Sequence, residues 1–446
     1  MQEVDVLVIG GGPGGASAAT TLARAGRSVL LVDKATFPRD KCCGDGLTSG
    51  ALRRLDALGL DPSNVASWQW VDDVELSSSR RTIRSFPLPT GPGHFAAIAT
   101  RVDLDAAILD LARLDGALVW EDTLLTAISD TATGIRATVQ RSGESEQVVA
   151  SHVVAADGMW STTRKLLGAA TPTSPTSPTS PIPTPTPTPT PTTSTSPSTS
   201  ASVSVERVGP YLGEWHGYRQ YARNVHTEAS RKLWIWFEPD LLPGYLWSFP
   251  LANGRVNLGF GIARTADRPT KDMKSLWSSL IARPNVAAVL GPDIELEAAP
   301  KAWPIPANIG SAPLASGRVL FVGDAARACD VLTGEGIGQA LQTGIAAADS
   351  ILAERRGDAH AAGRRYTERV LAEMGPDHQM SGWLEDLIAK PWICEAAIRL
   401  SGSTNWTRRN FARWLFEDYA RGIALTPTKW RWGLMSGAGA YERLRP

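Results

Sequence analysis

At 446 residues the chain is long enough to bury a large core in two or more lobes. Its 45 Lys and Arg balance its 45 Asp and Glu, so no whole-molecule field recruits nucleic acid and no nucleic-acid partner is expected. Four cysteines, two of them adjacent, make no disulfide framework, and without Cys-x-x-Cys or His-Glu-x-x-His no metal site is expected.

The first element is a short apolar run, Val4 to Ile9, rich in Val and Ile and closed by glycines, which predicts a strand buried on both faces. Gly10, Gly12 and Gly15 follow in G-x-G-x-x-G spacing, with Pro13 and Gly14 between. One glycine makes the tight turn, one lets a pyrophosphate approach the backbone, and one allows close strand–helix packing. A helix ends at Gly26, Ser28 to Val32 reads as a second buried strand, and Asp33 falls at its end, where an acid binds a ribose hydroxyl. The unit predicts dinucleotide binding, and the acid favours a ribose with a free 2′-OH, as in FAD or NAD.

After Lys34 comes a polar, glycine-rich stretch, Phe37-Pro38-Arg39-Asp40-Lys41-Cys42-Cys43-Gly44-Asp45-Gly46-Leu47-Thr48, and then a helical segment from Ser49 to Leu58. The strand, the glycine turn, Asp33 and this F-P-R-D-K-x-C-G-D-G-L-T stretch together resemble the geranylgeranyl reductase family of FAD enzymes. That family lies within the aromatic hydroxylase-type flavoproteins, and the likeness leans to its branch with the menaquinone reductases. The resemblance implies a Rossmann-type α/β FAD-binding domain with a parallel sheet, an inserted antiparallel-sheet substrate domain and a C-terminal helical region.

Later segments keep the resemblance in order. Ile98 to Asp105 is similar to the family's arginine-plus-acid segment, whose Arg, here Arg101, lies against FAD. Val153 to Ser161 holds the D-G motif with Asp157, a residue that can equally close a turn. Pro243-Gly244-Tyr245-Leu246-Trp247-Ser248-Phe249-Pro250 is similar to the substrate-domain signature and offers Tyr245, Trp247 and Phe249 to substrate. Val319 to Ala326 carries the G-D motif, Gly323 and Asp324, with a helix N-cap as the plain alternative for Asp324. Leu332-Thr333-Gly334-Glu335-Gly336-Ile337 is similar to the turn beneath the isoalloxazine and starts a helix expected from Gly334 to Leu352, whose dipole favours negative charge on the cofactor. The cofactor contacts implied are thus Gly10, Gly12, Pro13, Gly14, Gly15, Asp33, Lys34, Arg39, Cys43, Gly44, Arg101, Asp157, Gly323, Asp324, Gly334, Glu335, Gly336 and Ile337. The family usually has Pro where this chain has Val331, and Arg327, Cys329 and Asp330 replace small or apolar residues; these side chains are expected on the substrate side of the flavin.

The domains expected are an FAD-binding domain of 1–75, 96–168 and 303–355, a substrate-binding sheet of 76–95 and 203–302, an insertion at 169–202, and a helical region of 356–446. From Thr171 to Ser200 every residue but Ile182 is Pro, Thr or Ser, a composition with nothing to bury and expected to be disordered. Strands are read at 232–237, 245–250 and 255–261. Twelve of the 16 tryptophans lie after residue 203, most as ordinary packing and a subset as lining for an apolar pocket. From Arg399 onward nine Lys or Arg accompany three acids, a basic segment suited to a diphosphate, to peripheral contact with the inner membrane face, or simply to an exposed basic surface. No run reaches the roughly 18 apolar residues of a membrane span and no leader pattern opens the chain, so a cytoplasmic protein is expected.

The function implied is reduction of C=C bonds in a polyprenyl or other apolar polyene, by hydride from reduced FAD and a proton from an acid. The resemblance puts Cys43 at the substrate side as the catalytic candidate, against a plain small buried Cys. Two alternatives stay open: a monooxygenase using the same FAD motifs on a hydrophobic or polyketide-type metabolite, and a flavoprotein that binds or cyclises a polyene without redox turnover. Either NAD(P)H or ferredoxin is the expected reductant.

Overall fold

β1 (Gln2–Ile9) passes through the glycine turn into α1 (Pro13–Arg24), and β2 (Val29–Val32) returns parallel to β1, Val6 opposite Val29. Val6 to Val8 and Leu30 to Val32 are fully buried, which is why both strands read as unbroken Val/Leu/Ile runs. The computed structural model describes residues 1–71, 73–78, 83–88, 95–131, 133–168, 211–264, 272–354, 358 and 360–430; the Pro/Thr/Ser insertion lies outside them.

β3 (Gly46–Thr48) leads into α2 (Ser49–Ala57), capped where Thr48 Oγ1 accepts the Ala51 N–H at 3.3 Å. β4 (Gln69–Trp70) comes next, then β5 (Asp73–Ser78), β6 (Ile83–Pro87) and β7 (Ala96–Ile98). β3, β7 and β4 form a small antiparallel sheet, whereas β5 and β6 leave for the substrate lobe. α3 (Arg101–Leu114) precedes β8 (Leu118–Trp120), β9 (Thr123–Asp130), β10 (Ile135–Arg141), β11 (Glu144–Ala155) and α4 (Thr162–Leu166). The long β11 pairs parallel with β1 along its C-terminal part and antiparallel with β10.

The second lobe holds β12 (Trp215–Arg223), α5 (Thr227–Arg231), β13 (Leu233–Phe237), β14 (Tyr245–Pro250), β15 (Val256–Ala263), α6 (Met273–Ile281), α7 (Pro284–Leu290) and β16 (Glu295–Ile305). Its sheet runs β16-β12-β15-β14-β13-β5-β6, antiparallel except that β13 and β5 run parallel. The boundaries expected at 75/76 and 302/303 fall within β5 and β16, because a strand's ladder of hydrogen bonds keeps its residues in one sheet.

The chain then returns to the first sheet through β17 (Ala315–Ser316) and β18 (Val319–Phe321), completing the order β17-β18-β11-β1-β2-β8. α8 (Ile337–Leu352) packs on α1, α9 (Ala361–Ile388) packs on α8 and on β17 and β18, and α10 (Pro391–Ser401) and α11 (Asn405–Leu415) pack on β5 and β6 of the substrate sheet. Among the described residues no helix is long and apolar enough to cross a membrane, and no group of three His, Cys, Asp or Glu is placed to hold a metal ion.

Candidate active site

The glycine turn has two structural glycines and one open one. A Cβ on Gly10, at φ +104°, would lie 2.3 Å from the Ala156 carbonyl oxygen, and one on Gly15 only 1.8 Å from the Gly10 oxygen, so a side chain at either would part β1 from its neighbours. A Cβ on Gly12 would meet only guanidinium ends, Arg39 Nη2 at 3.5 Å and Arg101 Nη2 at 3.9 Å. Arg101 holds Asp105 in a fork of two 2.6 Å bonds, and Arg39 Nη1 lies 2.9 Å from the same carboxylate. Two cations against one anion leave a positive cradle at the N-terminus of α1, where backbone N–H groups add to it. Those residues fit a pyrophosphate. At the next stretch of wall, Asp33 accepts the Gly11 N–H at 2.6 Å and the Ala35 N–H at 2.8 Å, and Lys34 stands beside it.

The K-C-C-G-D-G loop is tied down from several strands. Lys41 Nζ lies 2.9 Å from Asp324, and the Cys329 thiol donates to the other Asp324 oxygen at 3.4 Å. Burial works against charge on Asp324, but the Lys41 ammonium, the Cys329 thiol and the Arg101 guanidinium together outweigh it and hold the carboxyl below its usual range. Asp40 pairs with Arg219 at 2.9 Å and Lys301 at 2.6 Å. Cys42 and Cys43 both line the cavity, and burial pushes both thiols up, Cys42 to about 12. Cys43 is the one held from beneath. The Asp45 N–H donates to its sulfur at 3.3 Å, and Asn257 Nδ2 donates to its carbonyl at 2.9 Å and to the Asp45 carboxylate at 2.8 Å. Tyr221 adds a second bond to that carboxylate at 2.8 Å. Asp45 is fully buried, and burial pushes it up to about 6.

The late bend is built around Asp330. Its Oδ1 accepts the N–H groups of Leu332 and Thr333 and the Thr333 hydroxyl, at 3.1, 2.8 and 2.7 Å. Gly334 takes φ +68°, so the bend turns before the helix begins, and α8 starts at Ile337 three residues later than the sequence predicts. Gly336 must lack a side chain because a Cβ would come 2.9 Å from the Cys329 sulfur. Glu335 caps α8 by accepting the Gly338 N–H at 2.8 Å; burial and the nearby Glu417 push it up to about 8. The C-terminal segment reaches back under this bend. Arg421, 1% exposed, sits 3.4 Å from Asp330 and 3.5 Å from Glu417 and donates to Thr333 Oγ1 at 3.3 Å, while Glu417 also accepts from Gln339 and Thr48.

Tyr245, Trp247 and Phe249 alternate along β14 and so share one face, with ring centroids 6.0 Å apart at each step. All three line the cavity. Trp247 is fixed by an Nε1–H bond to Asn257 at 3.0 Å, the Phe249 ring lies 3.4 and 3.3 Å from where a Cβ on Gly44 or Gly46 would stand, and the Tyr245 hydroxyl donates to the Thr333 carbonyl of the late bend. One continuous cavity of about 860 Å³ therefore joins the glycine turn, the Asp157 turn, the cysteine loop, Gly323 and Asp324, the Leu332–Ile337 bend and β14.

Two expectations are corrected. Arg327, Asp330 and Val331 are not on the cavity wall; of that group Cys329 alone is. Arg327, at φ +57°, turns its guanidinium back over the Tyr211 ring and onto Ser311, Asp330 points beneath the bend, and Val331 packs in a cluster with Trp215. Asp157 lines the cavity, as its cofactor reading requires, and closes a turn as well: one carboxylate oxygen accepts the Thr163 N–H and hydroxyl, at 2.8 and 2.9 Å, and the other has no partner among the described residues. The basic C-terminal segment is partly interior: Arg413 is buried against Asp418 at 2.6 Å, as Arg421 is against Asp330; residues 431–446 lie outside those described. Sequence reading passed over Tyr221, Asn257, Arg219, Glu417 and Arg421 as site residues. Asn257 and Tyr221 carried a weak signal as polar side chains interrupting strands, whereas nothing local marked Arg421.

Residues 3–202 match the family model described as FAD binding domain. The menaquinone reductase of Mycolicibacterium smegmatis is 31% identical over 371 residues, covering 78% of this chain and 76% of that protein. The digeranylgeranylglycerophospholipid reductase of Thermoplasma acidophilum is 26% identical over 78% of each. Among solved structures, a geranylgeranyl bacteriochlorophyll reductase-like protein of Thermoplasma acidophilum superposes with a TM-score of 0.74 at 21% identity, over 96% of this chain and 99% of that one.

Proposed function

Because this chain belongs to the geranylgeranyl reductase and menaquinone reductase family of FAD-dependent oxidoreductases, we propose that it saturates carbon–carbon double bonds of a polyprenyl chain or a similar apolar polyene. Bound FAD supplies the hydride chemistry that side chains lack. The observation that carries this reading is the shape of the cavity. From the glycine turn and the late bend it continues into an apolar limb, walled by Leu76, Leu233, Ile235 and Phe237 on the sheet side and by Ile388, Ile398, Phe411 and Leu415 on the helix side. Such a limb fits an isoprenoid tail, whose burial contributes about 0.8 kcal/mol per CH₂.

Arg39, Arg101 and the N-terminus of α1 would hold the pyrophosphate, Asp33 the adenosine ribose, and Asp324 a ribityl hydroxyl. Cys43 supports the proton half of the reaction: burial keeps its thiol protonated at neutral pH, and Asp45 and Asn257 fix it at the wall. Tyr245, Trp247 and Phe249 flank the substrate and exclude water. The reductant, NAD(P)H or a reduced ferredoxin, is to be found by supplying each in turn. The test is mass analysis of a prenyl substrate after single turnover with dithionite-reduced holoprotein. A gain of two mass units per double bond is expected; a gain of sixteen in air, or product formed with oxidised flavin and no reductant, would overturn the reading.

A further inference from the structure

We propose that Asp45 and Tyr221 form a proton relay behind Cys43, returning to its thiol the proton that each reduction removes. Asp45 stands between Gly44 and Gly46 at φ +63°, a left-handed backbone in which glycine costs least, and it is fully buried. Backbone and burial both work against an acid at this position, so its carboxyl does more than close the loop. Its Oδ2 accepts the Tyr221 hydroxyl and Asn257 Nδ2, each at 2.8 Å, while Oδ1 is buried with no partner among the described residues. The two bonds hold the carboxylate once it forms, and the free oxygen is where the carboxyl gives up a proton. Cys43 is on the cavity wall and Asp45 is not. The Cys43 sulfur accepts the Asp45 N–H at 3.3 Å, so Asp45 acts on substrate only through the thiol.

The need for such a pair follows from the function proposed above, on which the inference rests. As hydride reaches one alkene carbon and a C–H bond forms at the other, the S–H bond of Cys43 breaks. The thiolate left behind lies in a site that excludes water. It recovers its hydrogen as the Asp45 O–H bond breaks and the S–H bond forms again. The Asp45 carboxylate is then refilled through the Tyr221 hydroxyl, which passes on its own hydrogen and takes one from water. Tyr221 is half-buried on β12, opposite Asn257 of β15 and Glu297 of β16, and the partly exposed ion pair of Arg255 and Glu297 stands beside it. The Arg219 and Arg255 guanidiniums lie 4.1 and 5.3 Å from its ring, where they stabilise the negative charge that a phenol carries in passing a proton. Burial raises the Asp45 carboxyl, while Arg219 and Arg101 favour its charged form; besides Asp45, the charges facing Cys43 are Arg101 and Glu335.

The test compares the first turnover of dithionite-reduced holoprotein on a prenyl substrate with steady-state turnover in excess dithionite. In Asp45→Asn and in Tyr221→Phe the first turnover uses the proton already on Cys43 and should stay within about three-fold of the unsubstituted rate, whereas later turnovers should slow at least about ten-fold. Because burial keeps the proton on Asp45 up to about pH 6, steady-state turnover of the unsubstituted protein should fall as pH rises past that value. Tyr221→Phe removes a bond that favours the carboxylate and should move the fall to higher pH, and Asp45→Asn should abolish it. A readout independent of turnover is the pH at which iodoacetamide begins to alkylate Cys43 in the holoprotein, located by tandem mass spectrometry. Asp45→Asn should lower that onset, since the Asp45 charge adds to burial in raising the thiol. Equal slowing of first and later turnovers, which a merely structural role gives, undiminished steady-state turnover in both variants, or an unmoved alkylation onset each overturns the proposal. A lowered onset in a protein that reduces no double bond would remove the proposed function and leave the exchange between Asp45 and Cys43 standing.

Discussion

Gly344→Ala should cripple cofactor binding from a position that touches no cofactor. Gly344 lies in α8 where it crosses α1, and a Cβ there would come 2.1 Å from the Gly14 carbonyl oxygen and 2.3 Å from Ser17 Oγ. Ser17 could rotate, but the Gly14 carbonyl is backbone at the start of α1. Ordinary van der Waals contact begins at 3.4 Å, so the crossing must open by roughly 1.3 Å, an overpacking that costs about 1–3 kcal/mol. Gly14 belongs to the glycine turn, and α8 begins at the Leu332–Ile337 bend, so the opening separates the two segments that face the cavity together. Drawn from the holo state, that cost weakens FAD about 5- to 150-fold. The assay is titration of apoprotein with FAD, followed by flavin fluorescence. Gly382→Ala in α9 is the control: nothing lies within 4 Å of its Cβ position, so FAD affinity should hold and stability should rise by up to about 1 kcal/mol. Undiminished FAD affinity in Gly344→Ala would refute the claim that this crossing sets the spacing of the two segments.

Cys43→Ser should lower turnover with FAD content retained; unchanged turnover removes Cys43 from the proton transfer. Asp45→Asn should flatten the acid-side stability profile. Because burial raises the folded-state carboxyl from 3.8 to about 6, the folded protein holds its proton where the unfolded chain has released it, so this group's contribution falls as pH rises from about 4 to about 6, by about 3 kcal/mol in all. Thermal midpoints at pH 4 and pH 7 in both proteins check this, and an identical pH dependence would contradict it. Arg421→Met strands Asp330 and Glu417 beneath the late bend, where loss of one partner of a buried pair costs about 3–5 kcal/mol; a lowered thermal midpoint and reduced FAD content are expected, partly restored by adding Asp330→Asn.

The parts legible in the sequence are those whose cause is local. Val4 to Ile9 and Val29 to Val32 read as strands because burial on both faces demands an unbroken apolar run. The glycines of the first turn read as a phosphate approach because only residues without a Cβ leave that space. The Tyr245, Trp247 and Phe249 alternation declared a shared face because the strand repeat is two. Where each charge goes was decided by packing. Lys41 and Asp324 meet across 283 positions, and Arg421 reaches Asp330 from the C-terminal segment. At Arg327 a left-handed backbone turned the side chain from the expected wall to Tyr211. Spacing along a chain reports which face a residue occupies within its own element. The partner of a buried charge depends on which elements come together, and on the desolvation cost that drives ions taken out of water to find one another.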